Sequence, residues 1–340
     1  MAKLEFNCAA TMIGSVPWKD AAAALDRVER YLRDLPAWPQ LPMRSNLENM
    51  YTQFSQGFPG IQVDGEKLTV RQDAGFDVAL DRIFSDSYEN NPDGYTVGPD
   101  YAAGLHCLVA HPPASPRLKG QETGPISWGL CVTDGSGKGI IYDDTLADAL
   151  AAFLRLKVSW QERLLRTVAQ ETVIFLDEPY LASLGSAFVS LSADKVFSLI
   201  AEVLSGIEGI KGVHCCGGTD WSLLLKLPAD VISFDAYNYL DSFYTYQPDV
   251  LSYIKNGGGI AWGIVPNDEE ALKKESLSSL YDRFGEALAP LTRYGLSIRE
   301  VAAASLITPT CGLASLPPDA AEQVLDLLGQ LSEKARRKYG

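Results

Sequence analysis

Thr172-Val173-Ile174-Phe175-Leu176-Asp177-Glu178-Pro179 is a short apolar run that stops abruptly at two acids and a proline. Its β-branched and aromatic residues favour a strand, and apolar side chains fill successive positions rather than alternate ones. A strand of that kind is buried on both faces, as in a parallel sheet covered by helices. The pattern recurs at 210–213, 231–234, 259–264 and 305–307, and 117–121 is also strand-like. Helical periodicity fills the intervals at 143–168, 194–204, 220–227, 249–254, 275–288 and 319–338. At the N-terminus, 4–13 is strand-like and runs through Gly14-Ser15-Val16-Pro17 into a helix over 19–35.

This alternation predicts about eight strand–helix units, if the N-terminal part supplies two. The expected fold is α/β: a single (β/α)8 TIM barrel over residues 1–340, with an N-terminal excursion decorating its rim. An open doubly wound sheet is the alternative. The stretch 36–42 is too proline-rich for a central strand. A helix is expected over 47–54, and 57–101 reads as irregular and polar with a helical piece near 78–84.

Composition narrows the function. Of 340 residues, 46% are hydrophobic and 21% charged, which suits a buried core, and the net charge of −14 argues against a nucleic-acid surface. Lysines and arginines are scattered, apart from 334–338 in the last predicted helix, where they complement the helix dipole. No basic segment followed by a long apolar run opens the chain, and no run approaches a membrane span. A cytoplasmic protein is therefore expected, and its six cysteines are read as thiols or metal ligands rather than a disulfide frame.

The reactive residue types gather where the strands end. Asp177 and Glu178 close one strand, His214-Cys215-Cys216 the next, Asp235 the one after, and Cys311 the last. In a barrel these ends converge on one rim, where active sites lie. His214 and Cys216 are two apart on an extended segment and face one side, while Cys215 faces the other. With Cys311 they would supply three ligands to Zn2+, the fourth being an oxygen of Asp235 or the sulfur of a substrate. Cys8, Cys107, Cys131 and Cys215 are read as packed thiols. A zinc site rich in thiolate suits alkylation of sulfur, because the ion keeps a bound thiol deprotonated near neutral pH.

These residues coincide with a known pattern. The chain resembles the C-terminal catalytic domain of cobalamin-independent methionine synthase, nearest its short core forms, within the uroporphyrinogen decarboxylase-like superfamily. The resemblance rests on Ile13-Gly14-Ser15-Val16-Pro17, Lys119-Gly120-Gln121-Glu122-Thr123-Gly124-Pro125, Asp177-Glu178-Pro179, His214-x-Cys216, Thr310-Cys311-Gly312-Leu313 and the strand ending in Asp235. It implies zinc-dependent methyl transfer to a thiol, with homocysteine as acceptor. It implies that Ile13, Gly14 and Ser15 bind the amino-acid end, that Asp177 holds its amine with Glu178 nearby, and that His214, Cys216, Cys311 and Asp235 are the ligands.

The chain departs from that pattern at three places. Asp235 stands where the family has a glutamate ligand. Arg44 occupies the position of a glutamate that helps bind the amine, and an arginine there would pair with a carboxylate or a sulfonate. The loop Gly263-Ile264-Val265-Pro266-Asn267 carries no histidine to protonate a folate leaving group, and no histidine follows His214. The expected donor is therefore a methylated corrinoid such as methylcobalamin, carried on a partner corrinoid protein, with methyltetrahydrofolate as the alternative. The rival functions are methyl transfer to another small thiol such as coenzyme M, and a non-catalytic zinc- or corrinoid-binding role.

Overall fold

The structure is a computed structural model that describes residues 4–186 and 189–339. Its strands in chain order are β1 Ala9–Ala10, β2 Ile61–Asp64, β3 Lys67–Val70, β4 Arg117–Thr123 and β5 Val132–Thr133. They continue with β6 Glu171–Asp177, β7 Ile210–Cys215, β8 Val231–Phe234, β9 Gly259–Val265 and β10 Ser305–Pro309. Seven of these form one parallel sheet in the order β1-β10-β9-β8-β7-β6-β4. Chain order runs monotonically from β4 to β10, and β1 then follows β10. A doubly wound sheet would reverse its order at a switch point. No such reversal occurs, so the sheet curls in the manner of a barrel.

The eight-stranded closure expected from the sequence is met only in part. Next to the edge strand β4 runs the segment 36–40, which makes one parallel bridge to it, Ala37 to Lys119, and another to the turn that follows β1, Gln40 to Ser15. Lys119 N–H donates to the Pro36 carbonyl at 2.9 Å, and Gln40 N–H to that of Gly14 at 3.0 Å. Pro36 and Pro39 have no N–H to give, so a continuous ladder cannot form along this segment.

Both faces of the sheet are buried, as the uniform apolar runs require. A small cluster including Ala9, Val173, Phe175, Val231, Ala261 and Leu306 fills the inside of the curl. Ile174, Leu176, Ile232, Phe234 and Trp262 point the other way and pack under the helices. The longest strand-to-strand crossover is the helix Asp144–Arg166, capped by Asp143 accepting from Leu146 N–H at 3.0 Å.

The polar stretch 57–101 is more ordered than its composition indicates. It contains the antiparallel hairpin β2–β3, and β3 pairs with β5 in a second, three-stranded sheet. The turn needs Gly65, whose φ of +59° is in the left-handed region that favours glycine. The dipeptide Asp64-Gly65 is the available signal for it. No helix among the described residues is long and apolar enough to cross a membrane.

Candidate metal centre

Strand alternation settles which side chains look into the curl. Asp177 shares the inward parity of Val173 and Phe175, and it lies directly across from His214 on β7. His214 in turn lies across from Ser233 on β8, and its Nδ1 is 2.9 Å from Ser233 Oγ. Cys215 takes the opposite parity, joins the layer beneath the helices and donates to the Gly217 carbonyl at 3.6 Å. Cys8 is likewise buried, and burial pushes both thiols up to about 12.

His214, Cys216 and Cys311 bring one nitrogen and two sulfurs within 4.8 Å of one another. His214 Nε2 is buried with no hydrogen-bond partner, although its other nitrogen is fixed by Ser233. A hydrogen bond from Cys311 holds the Cys216 thiol low, at about 4, against the opposing effect of burial, and His214 reinforces it. The Cys311 thiol is pushed up by the same bond. One open imidazole nitrogen and two adjacent sulfurs form a donor set suited to zinc. The residues fit the ion.

Beside this group, Asp177 Oδ1 is also buried and unpartnered. Burial raises its carboxyl to about 6, while the charges of His214 and Lys119 oppose the rise. Lys119, fully buried on β4, donates to the Ile13 carbonyl at 2.6 Å and to Gln121 Oε1 at 3.2 Å. It therefore ties the Ile13-Gly14-Ser15 turn to the floor of the site, and burial lowers its ammonium to about 8. Gly14 packs its backbone closely there: a Cβ would come within 2.3 Å of Gln40 Oε1 and 2.8 Å of Gln121 Cδ. Ser15 reaches the metal group through Gly312, whose Cβ would stand 2.1 Å from Ser15 Oγ, and its carbonyl accepts from Leu313 N–H at 2.8 Å.

Three expected site residues have polar partners of their own. Asp235 lies outside the three-ligand group: it caps the helix Ala236–Tyr244, accepting from Asn238 N–H at 2.9 Å and Asn238 Nδ2 at 2.7 Å. A short carboxylate at a strand–helix junction satisfies the unpaired N–H groups nearest to it. Glu178 points away from the curl and accepts from Ile126 N–H at 2.8 Å, Ser127 N–H at 2.8 Å and Ser127 Oγ at 2.6 Å. It anchors the helix Pro125–Cys131, and burial raises it to about 7 against those three bonds. Arg44 pairs with buried Glu48 at 2.7 Å, and among the described residues no hydrogen bond or ion pair joins it to the metal group or Asp177.

Glu178 accordingly carries a stability prediction. Glu178→Gln would turn an amide N–H2 toward backbone donors, so chemical denaturation should show a loss of about 2 kcal/mol or more. Zinc content of the folded fraction should stay at the wild-type level.

Sequence reading passed over Ser233, Lys119 as a site residue, and Asn267. Lys119 stood in a quoted motif and Asn267 closed the loop read for its missing histidine, but neither was assigned a role in the site. Ser233 and Asn267 are ordinary polar residues whose roles depend on which strand lies beside them.

The fold and site together define an α/β protein with a thiolate–imidazole cluster at the C-terminal rim of a curled parallel sheet. No protein-family model matches the chain, and no curated protein matches it in sequence. Solved structures do match in fold. One is a B12-independent methionine synthase from Shewanella sp. W3-18-1 in complex with selenomethionine, at 14% identity and a TM-score of 0.60, covering 97% of this chain and 98% of that one. Another is a methyltransferase from Methanosarcina mazei, at 14% identity and a TM-score of 0.57, covering 100% of this chain and 95% of that one. At such identities the likeness is one of fold.

Proposed function

We propose that this protein is a zinc-dependent methyltransferase acting on the thiol of homocysteine to give methionine. The observation that carries the reading is the grouping of His214, Cys216 and Cys311 beside the unpartnered Oδ1 of Asp177. His214 Nε2 and the two sulfurs would hold the ion, which would then have room for the acceptor sulfur. Bound zinc supplies a thiolate near neutral pH from a weakly acidic thiol.

The remaining work is positioning. Asp177 Oδ1 accepts hydrogen bonds from the substrate ammonium, and the turn at Ser15 receives the carboxylate end. Lys119 holds that turn from below, and its charge favours the ionised form of Asp177. Holding the acceptor amine and sulfur at opposite ends of one rim site removes orientational freedom before the methyl is transferred.

The donor in this reading is a methylated corrinoid on a partner protein. Asn267 supports it, since it occupies the loop after β9 and is not a proton donor of histidine's acidity. Arg44, which would favour an acceptor such as coenzyme M, already has an anionic partner in Glu48 at 2.7 Å.

Purified protein should contain about one zinc per chain by elemental analysis, the count that one such ligand group implies. Given homocysteine, it should turn over with methylcobalamin and not with methyltetrahydrofolate. Turnover with the folate alone would overturn the donor assignment. Bound zinc with no methyl transfer from either donor would favour the non-catalytic role.

A further inference from the structure

The loop that carries Cys311 is gripped on both sides by one asparagine. Asn267 N–H donates to Thr310 Oγ1 at 3.0 Å, and that hydroxyl donates back to Asn267 Oδ1 at 2.7 Å. Asn267 Nδ2 donates to the Gly312 carbonyl at 3.0 Å. The residues immediately before and after Cys311 are thus both bound to the same side chain. Further contacts complete the clamp: Thr310 N–H donates to the Val265 carbonyl at 2.9 Å, and Leu313 N–H to that of Ser15.

We infer that Asn267 is a positioning residue for the metal centre, fixing the Cys311 sulfur where it meets Cys216 and His214. The inference rests on the zinc reading above. It needs an amide specifically. Only a planar group with an acceptor at one corner and a donor at the other can take the Thr310 hydroxyl and give to the Gly312 carbonyl together. An aspartate keeps the acceptor but sets a negative oxygen against that carbonyl. An alanine keeps only the backbone bond. Partners that orient a metal ligand typically change metal affinity by about 10- to 100-fold when removed.

The test is zinc affinity, measured by competition against a chromophoric chelator on the full chain. Asn267→Ala is expected to bind zinc about 10- to 100-fold more weakly than wild type, with Asn267→Asp intermediate. Thr310→Val removes the shared hydroxyl and serves as the second variant should Asn267→Ala fail to fold. A double variant no weaker than the weaker single one would show that both act through the same contact. Loading Co2+ separates positioning from general destabilisation: the sulfur-to-cobalt charge-transfer intensity of Asn267→Ala should fall toward that of Cys311→Ser. Wild-type protein that binds no zinc would defeat the metal reading itself. Wild-type protein that binds zinc, with variants that match its affinity and cobalt spectrum, would overturn the role of Asn267 alone.

Discussion

Cys216→Ser and Cys311→Ser should each abolish stoichiometric zinc and lower methyl transfer by about a thousandfold or more. The estimate takes metal stabilisation of a reacting charge as about 4 kcal/mol, or roughly three powers of ten in rate. A serine hydroxyl stays protonated where a thiol ionises, so it offers zinc a poor ligand while nearly preserving side-chain volume. The fold should tolerate both changes, because neither cysteine belongs to the buried hydrophobic core. Compared with zinc-free wild type, each variant should therefore differ in stability by no more than about 1 kcal/mol. Elemental analysis, turnover and denaturation on the same preparation check all three. Methyl transfer at the wild-type rate from zinc-free protein would mean that the thiolates are not part of the reaction. Cys215→Ser is the internal control: its sulfur lies beneath the helices, so it should leave zinc content unchanged.

The second large effect is expected at Asp177. Asp177→Asn should lower kcat/KM for homocysteine by about 30- to 150-fold, the cost of losing a charged hydrogen bond of about 2–3 kcal/mol. Most of that loss belongs in KM if the carboxylate binds the ammonium equally in ground and transition states. A thiol acid of the same length without the amino group separates binding from folding. Wild type should use it poorly, and the asparagine variant should use it no worse than wild type does. Equal losses for both thiols would assign Asp177 to the framework. The unpartnered Oδ1 supports the binding role, because a buried carboxylate oxygen without a partner is costly unless a ligand supplies one.

Particular residues show how far local pattern carries. The uniform apolar runs identified the central strands, and 231–234 agrees with β8 to the residue. The strand ends at His214 and Cys216 were readable because alternation on an extended segment depends on backbone geometry alone. Cys311 was readable as a strand-end residue, and the curl of the sheet brings it to the other two. The hairpin β2–β3 was missed although Ile61, Val63, Leu68 and Val70 alternate with polar residues around Asp64-Gly65, because each strand is only four residues long and β2 is mostly exposed.

The acidic residues show where local pattern stops. Asp177, Glu178 and Asp235 look alike as strand-end acids, yet Asp177 Oδ1 is left without a partner while Glu178 and Asp235 accept from helix N–H groups. Local sequence states which way a side chain leaves its strand. It does not state which donors from other elements will reach that side chain first. The same holds for Arg44, taken by Glu48, and for 36–40, whose prolines exclude a regular strand although it lies next to β4 and the turn that follows β1. Strand content and the grouping of candidate ligands thus follow from short-range geometry, which the chain carries by itself. The destinations of its carboxylates depend on competition among hydrogen-bond donors remote in sequence, and only the tertiary structure decides that.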